Sequence, residues 1–157
     1  MTDDPIIIPR RRTSYHELTD SDRELVDAAR RATSRAYAPY SHFHVGAAIL
    51  LSDGSITEGS NQENAAFPSG TCAERTAAYY AHSAHPDARF EAIAISAMGT
   101  DGQPTPTPTP PCGACRQALL EYEKLAGQPV RVILDSPGDI YIFPSVSSLL
   151  PLSFSDF

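Results

Sequence analysis

The stretch Pro111-Cys112-Gly113-Ala114-Cys115-Arg116-Gln117 places two cysteines three residues apart at the start of a periodic apolar segment. Cys115, Ala118, Leu119, Tyr122 and Leu125 recur at helical spacing, and Gly127 and Pro129 stop the pattern, which predicts a helix over residues 112–126. In its first turn Cys112 and Cys115 share one face, where unsatisfied backbone N–H groups favour thiolates. Upstream, Pro104, Pro106, Pro108, Pro110 and Pro111 remove donors that a ladder or a helix needs, so this segment reads as an extended surface loop.

Working outward, a strand is predicted over residues 90–97 before that loop, with two short strands over 130–134 and 140–143 after the helix. An alanine-rich helix is predicted from Cys72 to about residue 84, with Ala73, Thr76, Ala77, Tyr80 and Ala84 on its packed side and Pro86 beyond it. Residues 44–51 and 56 to about 63 read as antiparallel strands joined through Asp53-Gly54. An earlier helix starts at Ser21, where Ser21 and Glu24 suit a capping box, and continues through Leu25, Ala28, Ala29, Ala32 and Ala36 until Pro39 ends it. Residues 1–18 carry the apolar Ile6 to Ile8 and then Arg10, Arg11 and Arg12, and read as an arm lying on a neighbouring surface. Residues 19–157 form one folded unit, with a last helical turn or two near the end. The order αββαβαββ predicts an α/β fold with a mixed sheet of about five strands and helices packed on it, and leaves strand order open.

With 157 residues, 41% of them hydrophobic, the chain suffices for one well-buried core. Lys plus Arg number 12 against 19 for Asp plus Glu, a net charge of -7 that offers no general attraction to nucleic acid or anionic lipid. A small, weakly charged partner is expected. No apolar run approaches the roughly 20 residues needed to cross a bilayer, and Met-Thr-Asp-Asp-Pro lacks the basic and apolar segments of a signal peptide, so a cytoplasmic location away from membranes is expected.

Three cysteines cannot all pair with one another, and in a reducing compartment thiolate chemistry or metal binding is the stronger reading. Two helix starts converging would set Cys72, Cys112 and Cys115 around one metal, leaving the fourth tetrahedral position to water, the pattern of an open zinc site. Thioredoxin-like chemistry at the Cys112/Cys115 pair leaves Cys72 without a role. The histidines are not at ligand-like spacing from the cysteines: His42 and His44 flank Phe43, and His82 and His85 close a helix. Glu74, two residues after Cys72, suits a proton shuttle that reaches the water without ligating the metal. Arg75 suits neutralisation of a centre whose three thiolates outweigh one dication.

Thr71-Cys72-Ala73-Glu74-Arg75 together with residues 111–117 resembles the zinc-dependent cytidine deaminase family, in particular its short homotetrameric branch with three cysteine ligands. The resemblance runs from about residue 37 to 154, including Ser-His-Phe-His-Val-Gly-Ala-Ala at 41–48, Asn61 to Gly70 and Leu-Leu-Pro-Leu-Ser-Phe at 149–154. It implies a three-layer cytidine deaminase-like fold, Zn2+ as cofactor and a homotetramer. It further implies that Phe43 lines a nucleoside pocket, that Asn61 and Glu63 hold sugar hydroxyls, and that the Ala73 N–H meets the pyrimidine carbonyl. Phe67 and Phe154 match aromatics that neighbouring subunits bring into the pocket. The implied reaction is hydrolytic deamination of cytidine and deoxycytidine to the uridines and ammonia, with Glu74 carrying protons from water to ring N3 and the leaving amine. Pro110 stands where many relatives have Ser, removing a hydroxyl and a backbone donor but keeping a carbonyl able to accept from the substrate amine. The alternatives are a deaminase of another aminated heterocycle such as blasticidin S, or a noncatalytic zinc-stabilised assembly protein.

Overall fold

The computed structural model describes residues 1–155; Asp156 and Phe157, the end of the expected catalytic unit, lie outside the described residues. Among the described residues the main elements are β1 (Arg11–Thr13), α1 (Asp20–Ala32), β2 (His44–Leu51), β3 (Ile56–Ser60), α2 (Ala73–Ala84), β4 (Phe90–Met98), α3 (Gly113–Ala126), β5 (Arg131–Leu134) and β6 (Ile140–Phe143). They build one open mixed sheet in the order β1-β6-β5-β4-β2-β3. β4 and β5 run parallel, and the other neighbouring pairs are antiparallel. A parallel pair needs a long crossover, and the loop after β4 together with α3 supplies it.

The sheet has six strands where about five were expected. The additional strand is β1, within the expected arm: Arg11, Arg12 and Thr13 pair with Ile142, Tyr141 and Ile140 at the edge left open by β6. Arg12 Nε donates to Asp139 at 2.6 Å, and the Arg10 guanidinium lies 4.0 Å from the centre of the Tyr141 ring.

Residue alternation along the central strands builds the three layers. Ala48, Ala92, Ala94 and Ile133 face α1 and pack with Leu25, Val26, Ala28 and Ala29. Ala47, Ile49, Ile93 and Ile95 face the opposite way and pack with Ala73, Ala77, Ala81 and Leu119 from α2 and α3. Each fully buried Ile or Leu contributes about 2 kcal/mol of transfer free energy. Two glycines let the helices approach the sheet closely. A Cβ on Gly46 would lie 2.6 Å from the Thr33 amide nitrogen and closer still to the Ala29 carbonyl oxygen, whereas one on Gly59 would press into the α2 backbone at Ala73 and Ala77.

Helix boundaries and buried faces depart from expectation in four places. Thr19, not Ser21, caps α1, and its hydroxyl accepts from the Asp22 amide at 3.1 Å. The helix ends at Ala32, and a 3-10 turn over Thr33–Arg35 separates it from Ala36. On α2 the buried residues are Ala73, Glu74, Ala77, Ala78 and Ala81, while Tyr80 is exposed. On α3 Cys115 and Leu119 are buried and Tyr122 packs on the core as expected, but Leu125 is exposed and the face is completed by Leu120 and Ala126 instead. Gly127, at φ +64°, closes α3 as expected. No helix among the described residues is long and apolar enough to cross a membrane.

Candidate metal centre and active site

Cys72 is the N-cap of α2 and Cys112 the N-cap of α3, and neither side chain caps its own helix. Their sulfurs are thereby left free to face each other across the junction of the two helices. The Cys72 and Cys112 Sγ atoms lie 4.0 Å apart, and the three sulfurs of Cys72, Cys112 and Cys115 all lie within 4.8 Å of one another. Zinc–sulfur bonds of about 2.3 Å put tetrahedral sulfurs about 3.8 Å apart, so this donor set fits Zn2+ with little adjustment. Arg75 sends Nη2 toward Cys72 Sγ at 3.8 Å, and its buried Nε has no hydrogen-bond partner. A cation held in that position complements a centre expected to carry excess negative charge.

The electrostatics of the metal-free cluster are those of thiols sharing protons. Hydrogen bonding from Cys115, then Arg75 and Cys112, outweighs burial and draws the Cys72 thiol down to about 5. Cys115, hydrogen-bonded to the Cys72 sulfur, buried and beside Glu74, is pushed far up. Glu74 is only 5% exposed, and burial followed by the negative charge on Cys72 raises its carboxyl above the usual range. A carboxyl in that state exchanges protons nearer neutrality than a solvated glutamate does. Glu74 is set beside Cys115 because both occupy the first turns of neighbouring helices.

A cavity of about 550 Å³ opens beside the sulfurs, with Cys72 and Arg75 at its floor and Asn61, Glu63, Tyr40 and Phe67 among its walls. Asn61 Oδ1 accepts from the Val45 amide at 2.8 Å and its Nδ2 donates to the Phe43 carbonyl at 2.9 Å, so the side chain anchors the entry to β2. One amide hydrogen and one lone pair remain for a ligand. Glu63 accepts from the Tyr40 and Ser41 amides at 2.8 and 3.2 Å and from the Ser41 hydroxyl. These contacts, led by the Ser41 hydroxyl, hold its carboxyl below the ordinary glutamate range, and they shape the turn before His42, which takes φ +55°.

Cys72, Cys112, Cys115, Glu74 and Arg75 therefore converge, and Asn61, Glu63 and Phe67 stand around the adjoining cavity. Ala73 is fully buried at the first position of α2, where its backbone N–H belongs to the unsatisfied set of a helix start. Phe43 is half-buried beside the Asn61 carboxamide, and Pro110 is exposed on the loop leading to Cys112. Phe67 and Phe154 are 75% and 74% exposed, and Phe154 lies outside the cavity. Sequence reasoning overlooked Tyr40 and Ser41, although Pro39-Tyr40-Ser41 directly precedes the strand that enters the site. It also overlooked Arg116, whose Nε donates to the Pro111 carbonyl at 2.9 Å and braces the approach to Cys112.

Residues 19–126 match the family model described as the cytidine and deoxycytidylate deaminase zinc-binding region. A cytidine deaminase of Halalkalibacterium halodurans is 43% identical over 136 residues, covering 85% of this chain and 95% of that protein. One from Sporosarcina psychrophila is 42% identical over 132 residues, covering 84% of this chain and 90% of its own length. Among solved structures, cytidine deaminase from Burkholderia pseudomallei superposes with a TM-score of 0.73 at 39% identity, over 87% of this chain and 100% of that one. Fold, sulfur cluster and matched segments agree, and the chain belongs to the cytidine and deoxycytidylate deaminase zinc-binding family.

Proposed function

We propose that this chain catalyses zinc-dependent hydrolytic deamination of cytidine and deoxycytidine to uridine and deoxyuridine, releasing ammonia. The observation that carries this reading is the three-sulfur cluster with the buried Glu74 beside Cys115. Cys72, Cys112 and Cys115 would hold Zn2+ as thiolates, and the chemistry the ion would supply there is Lewis acidity that brings the pKa of water toward neutrality. Glu74 takes a proton from the attacking water and delivers it to ring N3 as the oxygen bonds to C4; it then takes the proton of the new C4 hydroxyl and passes it to the amino nitrogen, so that the C4–N bond breaks, the C4 carbonyl forms and ammonia leaves. Its raised affinity for protons suits both directions of transfer.

Asn61 and Glu63 contact the sugar hydroxyls with the hydrogen-bonding capacity their backbone contacts leave, the Ala73 N–H meets the pyrimidine carbonyl, and the Pro110 carbonyl accepts from the substrate amine. Phe43 lines the pocket. Phe67 and Phe154 stack on the base from neighbouring copies in a homotetramer, a reading supported by their exposure and by exposed Tyr79 and Tyr80. Residues 19–157 form the catalytic unit, and residues 1–18 form an arm that is built into it through β1 at the sheet edge and the buried Leu18. A net charge of -7 disfavours nucleic-acid substrates, and free thiols suit a cytoplasmic enzyme of pyrimidine salvage.

Ammonia release from cytidine, deoxycytidine and blasticidin S, measured after zinc removal and again after restoration, tests the reading. Turnover of the two nucleosides that disappears and returns with zinc is the expected result. Negligible turnover of both by zinc-loaded protein overturns it.

A further inference from the structure

The C-terminal segment is fastened along the helix that carries Cys115. From α3, Glu123 accepts from the Val146 and Ser147 amides at 2.7 and 3.0 Å. Arg116 Nη1 donates to the Leu149 carbonyl at 2.8 Å while its Nε holds the Pro111 carbonyl, so one guanidinium joins the tail to the residue before Cys112. The chain then bends at Leu152, which takes φ +56°. Gln117 Nε2 donates to the Phe154 carbonyl at 3.0 Å, and Lys124 Nζ donates to the Ser155 carbonyl.

Despite this anchoring the Phe154 side chain is left 74% exposed. An extended tail that only needed to lie on α3 would gain by burying a side chain as large and apolar as Phe154 there. Fixing the backbone while presenting the ring is an arrangement suited to a partner surface, because ordering cost is met before contact is made. Gln117 is two residues from Cys115, so the tether that places the ring and the helix turn that places the sulfur are one rigid piece.

We propose that Gln117 is a positioning residue for substrate binding: its carboxamide N–H fixes the Phe154 backbone so that the ring meets the base held in a neighbouring copy's pocket. The inference rests on the reading of Phe154 given above. Losing one neutral hydrogen bond predicts a rise in KM for cytidine of about threefold to tenfold in Gln117→Ala, with kcat held within about twofold. Gln117→Glu, which keeps the size but removes the donor, behaves likewise. Gln117→Arg restores a donor with sufficient reach and brings KM back.

The test is steady-state kinetics on these three variants, on Phe154→Ala and on the Phe154→Ala/Gln117→Ala double variant, with zinc content and oligomeric state measured for each. Support is a raised KM in each single truncation, no further rise in the double variant and recovery in Gln117→Arg, with zinc and assembly unchanged. A raised KM in Phe154→Ala with an unaltered KM in Gln117→Ala overturns the positioning role and leaves the Phe154 reading standing. An unaltered KM in both overturns the Phe154 reading and the inference with it. Loss of zinc or of kcat in Gln117→Ala makes the residue a support for the metal helix and overturns the inference.

Discussion

The Sγ atoms of Cys72 and Cys112 lie 4.0 Å apart although the two residues are separated by 40 positions, and each is the N-cap of its helix. The positive ends of two helix dipoles therefore meet at one point. Each favours nearby negative charge by about 0.3–1 kcal/mol, and Arg75 adds a full charge to the same place. The site is thus prepared for a thiolate at Cys72 before any metal arrives.

Alkylation of the metal-free protein tests that preparation. An ordinary thiol reacts about tenfold more slowly for each pH unit below about 8.5, because only the thiolate attacks. Cys72, half-exposed and drawn down to about 5, keeps its charge across that range. Iodoacetamide should modify Cys72 first, at a rate nearly constant from pH 8 to pH 6, and zinc should protect it. Peptide mapping that finds Cys112 modified first, with the pH profile of an ordinary thiol, contradicts this account.

Glu74→Gln should retain zinc and lose about 10²- to 10⁴-fold in kcat, the usual contribution of a proton-transfer group. It should also alter the pH dependence of metal-free stability. A carboxyl whose folded pKa is raised opposes folding above its unfolded pKa and has no effect below it, where both states hold the proton. Glu74→Gln should therefore be the more stable protein at pH 8, with the difference vanishing as pH falls below the usual glutamate range. Normal turnover, or a difference that grows as pH falls, refutes the assignment.

What the sequence made legible was local and periodic. Cys112 and Cys115 sit on one face because three residues make nearly one helical turn, and the odd count brought Cys72 to them. β1 was not legible, because Arg11-Arg12-Thr13 carries no apolar alternation and becomes a strand only by pairing with the open edge of β6. Thr19 and Ser21 are both suitable caps, and local pattern alone does not choose between them. In the structure Arg23 Nη1 also donates to the Leu18 carbonyl at 2.7 Å, tying down the chain just ahead of Thr19. Asn61 and Glu63 suit sugar hydroxyls and equally a polar strand end, and in the structure they bind groups 16 to 23 residues away: backbone groups for Asn61, and the Ser41 hydroxyl with the Tyr40 and Ser41 amides for Glu63. Such contacts arise only once the sheet has formed.

Gly59→Ala should damage the metal centre from the other side of α2. The added Cβ would lie 2.8 Å from Ala77 Cα and 2.9 Å from the Ala73 carbonyl, so α2 must move, carrying Cys72 and Glu74 with it. Overpacking of this kind costs about 1–3 kcal/mol. Gly46→Ala presses instead on α1, which bears no sulfur, and should lose comparable stability while binding zinc normally. Thermal melts paired with zinc titration against a competing chelator separate the two. Equal zinc affinity in both variants rejects the coupling of sheet to site through Gly59.

Glu123 is 8% exposed, and its carboxylate accepts three backbone N–H groups, from Val130 at 2.9 Å, Val146 at 2.7 Å and Ser147 at 3.0 Å. Oε2 serves the first two and Oε1 the third, so one side chain joins α3 to the entry of β5 and to the start of the C-terminal segment. Glu123→Ala leaves all three donors without that acceptor and should lower unfolding free energy by about 3–5 kcal/mol, since charge-assisted bonds are the stronger kind. Glu123→Gln can keep the two bonds to Oε2 but sets an amide N–H against the Ser147 donor, for a smaller loss of about 1–3 kcal/mol. Chemical denaturation of the zinc-loaded protein should give that order, with KM rising more in the Ala variant because the segment bearing Phe154 loses an anchor. Losses below about 1 kcal/mol in both would show that water replaces the carboxylate without cost.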